Sequence, residues 1–234
     1  MKPLFRTVTG WFCFMLLISP LVDAGKPQDP FLADAVKKYG GKEAAGKAIV
    51  ALGWKQLNEG FWEMAVKRFH QAGELTPENP DVLWGLGAAS AFQQKWDEAI
   101  TQFQKGLKLD PGHANLLADL GWAYEEKGML DEAAAWNEKA REAFAKMNPP
   151  DPHRWKPAYN SGLIHAKKGR YEEAITALNE ATQINSDLGD AYGLLAIIYY
   201  ERGQYDLAVQ NADKAVGLGF RMDEEFLEAL KSSR

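Results

Sequence analysis

Three columns of small residues recur through this chain in one register, and a chain that repeats itself can fold in few ways. Gly53, Gly87, Gly121, Gly162 and Ala196 form the first column. Ala65, Ala99, Ala133, Ala174 and Ala208 form the second, and Ala72, Gly106, Ala140, Ala181 and Ala215 the third. Within each column the steps are 34, 34, 41 and 34 residues. Between columns the apolar residues fall at helical spacing. The stretch from Leu83 to Pro111 reads as two amphipathic helices with a break at Gln94–Lys95. One such hairpin cannot bury its apolar face alone, so copies must stack.

The columns have a packing reason. Two helices joined by a short loop approach closely only where the contact carries no bulky side chain. Glycine in a helix costs about 1 kcal/mol relative to alanine, so its recurrence means that close approach is worth more than that. Two further columns fix the hairpin: Trp62, Trp96, Leu130, Tyr171 and Tyr205 open each second helix, and Gly60, Gln94, Gly128, Gly169 and Gly203 make each turn. Pro77 and Pro111 end the first two repeats, where proline cannot continue a helix. The spacing therefore predicts an all-α fold, an α-solenoid of five helix-turn-helix repeats at 46–79, 80–113, 114–147, 155–188 and 189–222.

The flanks read as caps. Asp29 and Pro30 begin a short helix that ends at Gly40-Gly41, within a lead-in over 25–45. Asp223 opens a last helix in 223–234, acidic in its first turn and ending on Lys231, as the helix dipole favours. The seven-residue insertion, 148–154, carries three prolines in four positions and forbids a helix. It reads as a kink or a protruding loop, or as a neutral change of length.

Residues 1–24 read as a secretory signal. Lys2 and Arg6 precede an apolar run from Val8 to Ile18, Ser19-Pro20 break it, and Ala24 offers a cleavage site. The alternative is a retained anchor, but the run falls short of the roughly 20 apolar residues that span a bilayer. The expectation is export without a stable membrane span, to a periplasm first and to the extracellular medium second. The one cysteine, Cys13, lies in this signal, so a cleaved chain would be held by packing alone.

Charge and motif spacing narrow the chemistry. The net charge is −5, and Lys37–Lys38 and Lys167–Lys168 are isolated pairs, so no basic face points to nucleic acid. His70, His113, His153 and His165 are scattered without metal-ligand spacing, and no glycine loop is arranged to cradle phosphate. We read no catalytic residue, no cofactor site and no metal site here, and expect a protein that is not an enzyme.

The repeats resemble the tetratricopeptide repeat (TPR) family. The resemblance rests on Leu52-Gly53, Leu86-Gly87 and Leu120-Gly121 in the first helices, the alanine column of the second helices, the aromatics Phe69 and Phe103, and the closing prolines. It covers about residues 46–222, with departures at Ser161, where leucine is usual, at Asn137 and Ala212 in place of the aromatic, and at Ser186 and Phe220 in place of the proline. The resemblance implies a concave face lined by the first helices, where peptides bind. Carried over by position, that face would hold Trp54, Asn58, Trp84, Phe92, Asn115, Asp119, Trp122, Lys156, Tyr159, Asn160 and Tyr200. Trp62 and Trp96, in the recurring aromatic column, read instead as packing between hairpins. Trp54 and Gly85 stand where some members of the family have asparagine to clamp a terminal carboxylate, so that clamp is not expected. The implied function is an exported, non-catalytic scaffold that binds a protein or peptide in its groove. The alternatives are a self-assembling structural protein, hence a homo-oligomer, and an envelope glycan binder that stacks sugars on tryptophan.

Overall fold

The computed structural model describes residues 29–232, and the signal reading with Cys13 lies outside them. These residues form twelve helices and, among them, no strand. A first helix, α1 (Pro30–Tyr39), precedes five hairpins: α2 (Lys42–Asn58) with α3 (Trp62–Leu75), α4 (Pro80–Phe92) with α5 (Trp96–Leu109), α6 (Ala114–Glu126) with α7 (Leu130–Ala145), α8 (Lys156–Lys167) with α9 (Tyr171–Ile184), and α10 (Gly189–Glu201) with α11 (Tyr205–Gly217). A last helix, α12 (Glu224–Ser232), packs on α11. Each hairpin stacks on the next, and the first helices α2, α4, α6 and α8 touch in series, forming one continuous row.

The chain turns where the sequence is built to turn. Gly60, Gly128, Gly169 and Gly203 take positive φ, and Gln94, in the same column, is the one non-glycine residue that does so among those described, at φ 58°. At the N-terminus Asp29 caps α1 by accepting from the Phe31 N–H at 3.0 Å. Its other oxygen accepts from Gln71 Nε2 at 2.6 Å, which ties the cap to α3. At the other end Asp223 accepts from the Phe226 N–H at 3.0 Å.

The small columns are where rings land. Ala65, Ala99, Ala133, Ala174 and Ala208 are fully buried. Phe69 and Phe103, also fully buried, press against glycine. A Cβ added to Gly53 or Gly85 would meet the Phe69 ring at 2.7 or 2.3 Å, and one on Gly87 would meet Phe103 at 2.3 Å. Phe69 thus fits between the first helix of its own repeat and that of the next. The third repeat has no such ring. There a Cβ on Gly121 would meet the Ala133 carbonyl oxygen at 3.2 Å and the Asn137 nitrogen at 3.3 Å, so α6 and α7 close in until their backbones nearly touch.

Two departures from the repeat pattern compensate each other. Asn137, buried in place of the aromatic, donates from Nδ2 to the Pro157 carbonyl and to Ser161 Oγ, both at 2.7 Å. Ser161 is the residue that replaces the usual leucine, so the two exceptions form one polar joint between the third and fourth repeats. Phe220, standing where a proline closes other repeats, puts its ring against Gly193, where an added Cβ would lie 2.5 Å away.

Alanine ordinarily stabilises a helix by about 1 kcal/mol over glycine. At Gly87 the added methyl has no room beside Phe103, and overpacking costs about 1–3 kcal/mol. Gly87→Ala should therefore melt lower than the wild type by circular dichroism. Gly217→Ala, where a Cβ meets nothing within 4 Å, should melt at the same temperature or higher. Equal effects at the two sites would contradict the ring-on-glycine packing.

Candidate binding groove

The row of first helices lines a concavity of about 660 Å3, within the size range of ligand sites. Trp54, Asn58, Trp84, Phe92, Asp119, Trp122, Lys156, Tyr159 and Asn160 all border it. Asn115 and Tyr200 do not. Asn115 is buried within the stack. Tyr200 packs edge-on against Tyr205 at 5.5 Å and Phe226 at 5.4 Å, covered by α12. The carry-over missed these two because a repeat position fixes the direction of a side chain, and the neighbouring elements decide whether it is covered.

Trp84 is the centre of the concavity. Its ring lies 4.3 Å from that of Trp54, 5.8 Å from His113 and 6.3 Å from His153 between centroids. Its Nε1–H donates to Asp119 Oδ2 at 2.6 Å. Lys156 Nζ sits 5.4 Å from the Trp84 ring centre and bonds the other Asp119 oxygen at 2.7 Å. That ion pair is largely withdrawn from water, with side-chain exposures of 17% for Lys156 and 13% for Asp119. In such surroundings each charge depends on the other. His113 is oriented in turn: its Nδ1 accepts from the Leu116 N–H at 3.2 Å, so Nε2 carries the hydrogen and faces Asp81 Oδ1 at 3.0 Å.

The remaining aromatics divide. Trp122 borders the concavity and packs edge-on against Trp96 at 5.2 Å. Trp62 is 42% exposed, which departs from the reading that it fills the space between hairpins. Its place at the first residue of α3, beside the exposed Phe61, leaves one side uncovered. Asn160, though it borders the concavity, is buried and donates from Nδ2 to the Ala118 carbonyl at 3.1 Å, so it joins α8 to α6.

The insertion supplies residues that the repeat pattern could not reveal. Asp151 accepts from the His153 N–H at 2.6 Å and its Oδ1 lies 3.1 Å from His153 Nδ1, which turns the chain back toward the first helices. His153 and Trp155 then border the concavity, with Trp155 edge-on to Tyr159 at 5.9 Å. The segment is a wall of the groove. Its only signal in sequence was a histidine and a tryptophan next to prolines.

Comparison with known proteins agrees with the repeat fold. The tetratricopeptide repeat pattern matches residues 91–152 and 189–218, and the TPR repeat pattern matches residues 162–201. The chain belongs to the tetratricopeptide repeat family. A TPR protein 30 homolog of Caenorhabditis briggsae is 34% identical over 68 residues, which is 29% of this chain and 10% of that protein. Among solved structures the chain resembles pilF of Pseudomonas aeruginosa, with a TM-score of 0.66 at 21% identity over 80% of this chain and 81% of that one. It resembles PilW, a widely conserved type IV pilus biogenesis factor, with a TM-score of 0.67 at 18% identity over 80% and 85%. It also resembles YrrB, a TPR protein with an unusual peptide-binding site, with a TM-score of 0.52 at 17% identity over 87% and 98%. At these identities the likeness is one of fold. Proteins of this TPR family bind protein or peptide partners and are typically non-catalytic. No helix among the described residues is long and apolar enough to cross a membrane.

One ionisable group breaks the apolar pattern beside the groove. Glu125 occupies the column in which Leu57 and Ala91 are core, and it is 1% exposed. Lys167 of the next repeat pairs with it. Burial pushes the Glu125 carboxyl above the ordinary carboxylate range, and the Lys167 ammonium opposes the shift. The folded state therefore holds this proton more tightly than the unfolded chain. Stability is lost as pH rises from the ordinary glutamate value through the raised one. Glu125→Gln is expected to melt higher than the wild type near pH 7, with the difference shrinking as the pH falls toward about 4. Melting curves across that range check this; a variant that melts lower near neutrality would mean that the Lys167 pair outweighs the burial.

Proposed function

We propose that this chain is an exported, non-catalytic scaffold that holds a protein or peptide in the concave groove centred on Trp84. The observation that carries the reading is the concavity itself, in which residues from all five repeats and the insertion border one space. Aromatic residues offer large contact area at small entropic cost, and they dominate recognition surfaces. An extended peptide laid along α2, α4, α6 and α8 would meet Trp54, Trp84, Trp122 and Tyr159 in turn. The family's habit of binding peptides on this face supports the reading, as does YrrB among the similar structures. Export rests on the N-terminal pattern of Lys2, Arg6, the apolar run and Ala24. The likeness to PilW, a pilus biogenesis factor, agrees with a role in the envelope.

Affinity capture from the exported fraction tests this. The chain with Trp84→Ala and Trp122→Ala should lose the partners that the wild type retains, while its circular dichroism stays helical. Identical partner sets for the two forms would count against the groove.

A further inference from the structure

Granted that the groove takes a peptide, its charges specify which kind. Among the described residues, Lys156 is the one lysine or arginine that borders the concavity, and it is engaged by Asp119 at 2.7 Å. Neither charge of that pair is available without stranding the other away from water. Asp190 also borders the concavity, at its far end. It is exposed, sits in the first turn of α10, and forms no ion pair among the described residues. The neighbouring Tyr159 phenol reports the same negative end: burial holds it protonated, and Asp190, Glu125 and Glu126 add to the effect. Among the described residues, only Glu125 of these glutamates has a cationic partner, Lys167.

We infer that the groove selects a basic, apolar segment: an aromatic or leucine side chain seated on Trp84, with a lysine or arginine a few residues away that meets Asp190. The polarity is the reverse of a clamp for a terminal carboxylate, which needs unengaged cations. An acidic segment would place its charge against Asp190 and find Lys156 already taken. The exposed carboxylate acts at the rim, so it directs orientation and choice of sequence more than it adds affinity.

Selection from a phage-displayed library of random dodecamer peptides on the full chain tests this. The enriched sequences should pair an aromatic or leucine with lysine or arginine. A synthetic copy of an enriched peptide should bind Asp190→Asn about two- to fivefold more weakly than the wild type, as for an exposed ion pair. The same peptide with its basic residue changed to alanine should bind the two proteins alike. Enrichment of acidic or uncharged peptides, or affinity unchanged by Asp190→Asn, overturns the inference and leaves the groove standing. Enriched peptides whose binding survives Trp84→Ala overturn the groove reading itself.

Discussion

The first two hairpins, on which the rest of the stack builds, depend on rings that rest on bare backbone. Phe69 and Phe103 project from second helices onto glycines of first helices, and no side chain could be added there without collision. That contact sets how closely the two helices of a hairpin lie, and Phe69 carries it across to the next hairpin. Once the distance is fixed, the turn residues and the buried alanine column follow as consequences. The first helices then have to form a row, and one face of that row is left to look inward. The groove is what remains after the rings have been placed.

The middle of the stack obeys a different rule, and this is where the groove acquires its character. Asn137 takes the place of a ring and holds the fourth repeat through Pro157 and Ser161. Directly before that joint the chain is seven residues longer than the repeat requires. The extra length folds back through Asp151 and brings His153 beside Trp84. Lys156, the first residue after the excursion to be helical, reaches Asp119 on the preceding repeat. A polar joint, a wall and a half-buried ion pair therefore coincide at one junction. An insertion that changes length alone would not need all three.

The architecture was legible in the sequence because it is written in spacing. Glycine and alanine at intervals of 34 residues carry the register, and Trp62, Trp96, Leu130, Tyr171 and Tyr205 each open a helix as their column requires. The groove was legible in part, since side chains such as Trp84 and Asp119 point inward wherever the repeat holds. Three things were hidden. Tyr200 is covered by α12, and no repeat position encodes what a neighbour covers. His153 and Trp155 lie in or beside the insertion, where periodicity says nothing. The engagement of Lys156 by Asp119 joins residues 37 apart through geometry alone.

The central claim is that the stack brings separate repeats and the insertion together around Trp84. Nuclear Overhauser contacts from the Trp84 indole measure this most directly. The account predicts cross-peaks to the rings of Trp54, His113 and His153 and to the Lys156 side chain, in a chain whose spectrum shows it folded. A folded spectrum in which the Trp84 indole contacts only residues of its own helix would contradict it.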